Sequence, residues 1–189
     1  MLKDGTTCIK KKIAVLGGST TNDIVSVMEL FLLNFGIEPE FYQSEYNKFY
    51  EDAVFGSPEL DSFKPDLIYI HTTSRNLTIV PESPAETPEQ IQDKLDNQFD
   101  YFKQMWISLS QKFSCPIIQN NFELPLFRHS GNYDGWGYSG IGAFINRLNV
   151  MFSDYARNNN GFYINDINYL SSVIGLTKWH DSDAWFLYK

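Results

Sequence analysis

The stretch Lys12-Ile13-Ala14-Val15-Leu16-Gly17-Gly18-Ser19-Thr20-Thr21-Asn22-Asp23 constrains this chain more than any other. Four apolar residues, two of them β-branched, run into a Gly-Gly pair and a Ser-Thr-Thr-Asn cluster. Ile24, Val27, Met28, Phe31, Leu32 and Phe35 then recur at helical spacing. The pattern predicts a buried strand, a tight turn and a helix. Gly17 and Gly18 let the backbone bend sharply and leave room for a ligand, while Ser19 falls where the helix begins, among amides that have no partner inside it. A serine there is a helix cap, part of a phosphate cradle, or a nucleophile.

The rest of the chain alternates in the same way. Residues 37–42 predict a second strand, and 46–63 an aromatic, turn-rich stretch holding Phe55-Gly56-Ser57-Pro58. Asp66-Leu67-Ile68-Tyr69-Ile70-His71, opened by Lys64-Pro65, predicts a third strand that empties into the polar loop Thr72-Thr73-Ser74-Arg75-Asn76. Residues 80–88, rich in Pro and Glu, read as a surface loop. Thr87-Pro88-Glu89-Gln90 reads as a capping box opening a helix that reaches Lys112, with Ile91, Leu95, Phe99, Phe102, Met105, Trp106 and Leu109 on its apolar face. Cys115-Pro116-Ile117-Ile118-Gln119 predicts a fourth strand running into Asn120-Asn121-Phe122-Glu123. An irregular loop over 127–138 follows, then a helix over 141–158 ended by Asn159-Asn160-Gly161, a fifth strand at Phe162-Tyr163-Ile164-Asn165, and a short helix over 167–174. From Thr177 the chain begins as a polar turn and passes into an amphipathic helix.

Five short strands alternating with helices call for an α/β fold, a three-layer α/β/α sandwich around a five-stranded parallel sheet. A chain of 189 residues that is 43% hydrophobic and 16% aromatic suits one globular domain. In such sheets ligands gather at the carboxyl ends of the strands. Ser19, the Gly56 loop, Asn76, Asn120 with Asn121, and the His180 turn are all expected on that edge, where they can converge.

Charge and cysteine usage narrow the function. A formal net charge of -8 argues against nucleic acid or an anionic membrane as partner, since both are held by Lys/Arg excess. Residues 1–12 lack the apolar core of a signal peptide, and no apolar run approaches the roughly 18 residues of a membrane helix. Cys8 and Cys115 form no CxxC or Cys/His cluster, which fits a reducing, cytoplasmic location. The three histidines, His71, His129 and His180, are too scattered to suggest a metal, and no cofactor is implied.

The spacing of the polar clusters resembles that of the SGNH/GDSL hydrolases. Gly17-Gly18-Ser19-Thr20-Thr21 is similar to their first block, whose Ser is the nucleophile and whose amide helps hold the oxyanion. Gly56 resembles the second-block Gly, and Thr73-Ser74-Arg75-Asn76-Leu77 the third block, with Asn76 as an oxyanion donor. Trp179-His180-Asp181 resembles the fifth block, whose His is the general base. Gly18 stands where that family has Asp and Thr73 where it has Gly. Thr177 stands where the orienting Asp is usual, which leaves Asp181, Asp183 or Asp166 to orient the imidazole, or a Ser–His dyad. Ile13 to Asp23, Pro65 to Leu77 and the closing segment from Trp179 more narrowly resemble the N-terminal domain of bacterial FkbH-like proteins. That resemblance implies an SGNH-like region followed by a haloacid-dehalogenase-type domain in a longer protein, handling glyceryl or related acyl units for carrier proteins of polyketide-type pathways.

For acyl transfer the minimum is a nucleophile, a base within reach, and donors aimed at the developing oxyanion. Ser19, His180, and the Ser19 amide with Asn76 would fill these roles, with Thr20, Arg75, Asn120, Asn121 and Arg128 on the pocket rim. The expected partner is a small acyl substrate or an acyl carrier protein. The competing readings are a turn asparagine, a capping or packing histidine, a non-catalytic docking domain, and nucleotide or phosphate binding at the Gly17-Gly18-Ser19 turn.

Overall fold

A computed structural model describes residues 8–181. Five strands, β1 (Ile9–Gly17), β2 (Ile37–Gln43), β3 (Leu67–His71), β4 (Ile117–Asn120) and β5 (Phe162–Asn165), form one parallel sheet in the order β2-β1-β3-β4-β5. Parallel neighbours need crossovers. These are supplied by α1 (Asn22–Asn34), α2 (Phe49–Val54), α3 (Pro58–Phe63), α4 (Pro88–Lys112) and α5 (Ile141–Asn158), with α6 (Ile167–Ile174) and α7 (Leu176–Trp179) after the last strand. This is the α/β architecture that the alternating pattern predicts.

Contacts within the chain cluster into two units, Met1–His71 with Met105–Gln119, and Thr72–Gln104 with Asn120–Lys189. In the first, the two-residue period of β1 and β3 sorts the core. Ile13, Val15 and Tyr69 face Val25 of α1, with Ile24, Met28 and Leu32 packed around them. Ala14, Leu16, Ile68 and Ile70 face the other way and are fully buried. Register places Gln119 beside Ile70, and there the Trp106 indole N–H donates to the Gln119 Oε1 at 3.0 Å. Tyr42, in register with Ala14, donates to Asp52 Oδ2 at 2.8 Å and lies 3.2 Å from Ser57 Oγ, which brings α2 and α3 onto that same face.

Two differences from the sequence reading have simple causes. The first strand begins at Ile9, not near Lys12, because Lys10 to Lys12 pair in register with Glu38, Pro39 and Glu40 of β2; apolar pattern cannot see a strand that opens on a run of lysines. Residues 46–63 hold α2 and α3, six residues each, too short to show a helical period. The second helix carries a local signal, Ser57-Pro58: the Ser57 hydroxyl accepts from the Leu60 N–H at 3.1 Å, with Pro58 in the first turn.

In the second unit the capping box forms as expected. Thr87 N–H donates to Gln90 Oε1 at 2.9 Å, and Gln90 N–H to Thr87 Oγ1 at 3.3 Å. The core is aromatic: Phe102, Phe122 and Phe152 lie 5.2–5.4 Å apart between ring centroids in tilted or edge contacts. The 127–138 loop contains a single 3-10 turn, Gly131–Gly135. The amphipathic helix expected after Asp181 lies outside the described residues.

Gly17 is needed for space. A Cβ there would stand 2.5 Å from Thr21 Cγ2 and 2.9 Å from the Ser19 carbonyl oxygen. Gly17→Ala is therefore expected to cost about 2–3 kcal/mol in urea unfolding, and adding Thr21→Ser, which removes the methyl, should recover part of it. An unchanged midpoint in Gly17→Ala would show that the turn has slack.

Candidate active site

At the end of β1 the chain turns under firm backbone control. Gly17 N–H donates to Ser44 Oγ at 2.9 Å, Gly18 N–H to the His71 carbonyl at 2.9 Å, and Ser44 N–H to the Val15 carbonyl at 3.0 Å. The loop after β2 and the end of β3 thus hold the turn from both sides. Ser19 follows, half-exposed. It does not cap α1: the helix starts at Asn22, the cap position is Thr21, and no side chain caps it. Thr21 instead donates its hydroxyl to Gln43 Oε1 at 3.0 Å. The Ser19 hydroxyl has no hydrogen-bond partner among the described residues, so the capping role open to it in the sequence is not the one it plays.

His71, at the end of β3, is largely buried on the α1 side beside Tyr69, whose hydroxyl lies 3.1 Å from His71 Nδ1. Burial pushes its imidazole down to about 4. A ring that binds its second proton so weakly is a poor general base at neutral pH.

Beyond β3 the chain forms a short 3-10 turn, Ser74–Asn76. Thr73 N–H donates to Asn76 Oδ1 at 2.9 Å, and Arg75 N–H to Thr73 Oγ1 at 3.3 Å. A backbone N–H can only donate, so the amide oxygen of Asn76 must face it, and Nδ2 is the donating end of that side chain. Asn76 is thus a turn residue and a fixed N–H donor together.

The segment that follows β4 is bonded at every residue. Asn120 Nδ2 donates to the Thr72 carbonyl at 3.3 Å and its Oδ1 accepts from Asn165 Nδ2 at 2.9 Å. Asn121 donates to Asp166 Oδ1 at 2.8 Å and accepts from Asn168 N–H at 3.0 Å. The Asn149 amide closes on both the N–H and the carbonyl of Phe122, at 2.9 and 2.8 Å. Glu123 accepts from the Ser74 hydroxyl at 2.7 Å and from the Ser74 N–H at 3.2 Å. The Leu124 carbonyl lies 2.8 Å from His180 Nε2. A carbonyl only accepts, so Nε2 carries the hydrogen, and in the neutral ring Nδ1 holds the lone pair.

These positions sort the expected site residues. The second unit brings the Asn76 turn and His180 to adjacent residues, Glu123 and Leu124, of one segment. Asn120 and Asn121 are buried ties between backbone ends, not rim residues. Gly56 falls between α2 and α3, with the Lys112 ammonium 2.5 Å from where a Cβ would stand, instead of at the strand ends; its φ of +83° serves the link between the helices. Asp166 caps α6 by accepting from the Tyr169 N–H at 3.1 Å, so that carboxylate is spoken for. Thr20, Arg75 and Asp181 are exposed. Asp183 lies outside the described residues. Arg128 lines a cavity of about 400 Å³ with Leu124, Leu126, Ile141, Asn146 and Leu176.

Glu123 and the Leu124 carbonyl had no part in the sequence reading. Glu123 offered one signal, an acidic residue just past an apolar strand; a main-chain carbonyl offers none. Among the described residues no group of three His, Cys, Asp or Glu side chains could hold a metal ion, and no helix is long and apolar enough to cross a membrane.

The model for the FkbH N-terminal domain matches residues 12–187. The chain belongs to that family. No curated protein matches the sequence. Among solved structures, the FkbH N-terminal domain described here is similar to the N-terminal part of BF1531 from Bacteroides fragilis, a structure containing a phosphatase domain complexed with Mg. The TM-score is 0.82 at 18% identity, over 99% of this chain and 48% of that one. The chain thus spans about half the length of that protein's structure, and the likeness shows the shared fold. Lower similarity links it to the catalytic domain of Streptococcus pneumoniae peptidoglycan O-acetyltransferase A with a methylsulfonyl adduct (TM-score 0.45, 14% identity, 87% of this chain and 73% of that). An acylhydrolase-type protein of B. fragilis scores similarly (TM-score 0.48, 16% identity, 82% and 67%).

The depressed imidazole of His71 fixes a sign for acid stability. Its folded value, about 4, lies below the ordinary 6.5, so the unfolded chain binds the extra proton between the two values. Stability from this group is full above pH 6.5 and is lost as pH falls toward 4, by roughly 3 kcal/mol. His71→Gln should flatten that part of the pH–stability curve in urea titrations; a variant curve parallel to the wild type would sink the assignment.

Proposed function

We propose that this FkbH N-terminal domain is a serine-dependent acyl-transfer centre of the SGNH type, acting on an acyl ester or a carrier-protein thioester that bears a glyceryl or related unit. One observation carries the reading: the His180 imidazole is oriented by the Leu124 carbonyl. A triad needs an acceptor that holds the base in one tautomer. The usual acid position is Thr177, in α7, and a main-chain oxygen supplies the acceptor instead.

The chemistry then follows. Ser19 Oγ attacks the acyl carbon while Nδ1 of His180 takes its proton, and the C–O or C–S bond to the leaving group breaks as that proton passes to the departing oxygen or sulfur. A tetrahedral oxyanion forms between these steps, and the Ser19 N–H and Asn76 Nδ2 are the donors offered to it. Water or an acceptor hydroxyl then releases the acyl group by the same route reversed. A neutral carbonyl steadies an imidazolium less than a carboxylate does, by about 1–2 kcal/mol, which slows the reaction roughly five- to thirty-fold without abolishing it. The cavity beside Leu124 would take the acyl portion: Leu126, Ile141 and Leu176 give it an apolar wall, and the Arg128 guanidinium suits a carboxylate or phosphate on a substituted acyl unit.

A second reading, a docking domain for a carrier protein in a longer FkbH-like protein, is favoured by the lack of an acid at position 177. The two part in one experiment. An alkyl fluorophosphonate should add covalently to the wild-type protein, seen by intact mass, and fail to add to Ser19→Ala; His180→Gln should slow labelling by about 100-fold or more. Unlabelled wild-type protein that also leaves p-nitrophenyl acetate and glyceryl thioesters untouched would refute the enzyme and leave the docking module.

A further inference from the structure

Glu123 is 2% exposed, yet among the described residues it has no cationic partner. Burying a carboxylate costs several kcal/mol unless strong donors replace its water. Both donors here come from one residue: the Ser74 hydroxyl at 2.7 Å and the Ser74 N–H, shared between the two oxygens at 3.2 Å. Ser74 opens the 3-10 turn that carries Asn76, whose own Oδ1 closes on Thr73 N–H. The next residue, Leu124, supplies the carbonyl that holds His180. The segment itself has little freedom, because the Asn149 amide clamps both backbone groups of Phe122.

Resting on the acyl-transfer reading above, we infer that Glu123 is a positioning residue: a buried carboxylate that fixes the Asn76 donor through Ser74 and ties that donor rigidly to the carbonyl orienting the general base. It touches no substrate. It acts by keeping Nδ2 of Asn76 where the oxyanion develops, so its loss weakens transition-state stabilisation more than substrate binding. A carboxylate suits this job because both of its oxygens accept from the Ser74 N–H while Oε1 also takes the hydroxyl, whereas a glutamine is uncharged and sets a donating NH2 beside one of those donors.

Glu123→Gln, Asn76→Ala and the double variant test it, with Ser74→Ala as a milder probe that keeps the N–H. With p-nitrophenyl acetate, Glu123→Gln should lower kcat by about 10- to 100-fold with KM within about three-fold. The double variant should be no slower than Asn76→Ala alone, within about two-fold, because both changes remove one donor. Additive losses, or a loss borne by KM, would overturn the assignment. Hydrogen exchange keeps it separable from the acyl-transfer reading. If the wild-type protein turns over no ester, that reading falls, and Glu123 is still judged on its anchor: the Ser74 and Asn76 amides should exchange about tenfold or more faster in Glu123→Gln, with the Asn168 amide unchanged. Equal exchange at Ser74 and Asn76 would refute the anchor itself.

Discussion

A strand that ends inside a parallel sheet leaves N–H and C=O groups facing no water, and each must find a partner. At the end of β4 this is met by side-chain amides and one carboxylate. Asn120, Asn121 and Asn149, with Glu123, take up the backbone of Thr72, Ser74, Phe122 and Asn168, so side chains tie the loops around β4 and β5 where the strand ladder stops. Every one of the five residues from Asn120 to Leu124 has a bonding partner, and the proposed chemistry draws on these ties. An oxyanion donor or a general base placed an ångström away from its task loses most of its value. Here the Asn76 turn and the His180 ring are referred to consecutive residues of one clamped segment.

The two interior histidine environments show how burial and bonding divide roles among identical side chains. His71 is largely buried beside a phenol, so the charged form is disfavoured and the ring stays neutral. His180 meets a main-chain oxygen that accepts from Nε2, which fixes the neutral tautomer with its lone pair on Nδ1. In the proposed reaction the second ring is the proton carrier. Under the proposed chemistry, the Leu124 carbonyl takes the place of the acid missing at Thr177.

Several parts of the structure were written locally. The Gly17-Gly18-Ser19 turn, the Thr87/Gln90 capping box, the end of α5 at Asn158 and the limits of β5 and α6 all depend on near neighbours in sequence, and all form where the pattern put them. Where a feature depends on distant residues, local reading failed. Asn120 and Asn121 looked like pocket residues because polar side chains after a strand are common there; their partners, Asn165, Asp166 and Asn168, lie more than forty positions away. Gly56 matched a motif by order along the chain, but its neighbour is Lys112, fifty-six positions on, and the link between two helices explains its positive φ. Ser19 could be a cap by sequence because the start of α1 was uncertain by three residues, and the helix starts at Asn22.

By itself the sequence determined the fold class and the parallel sheet, because hydrophobic period, turn chemistry and capping act over a few residues and leave their marks in order. Tertiary structure alone decided which histidine is held neutral, which nitrogen of the other bears the hydrogen, and which carboxylate braces the Asn76 turn. Those outcomes rest on burial and on hydrogen bonds between residues forty to sixty positions apart, including a main-chain carbonyl that any amino acid at position 124 would have offered.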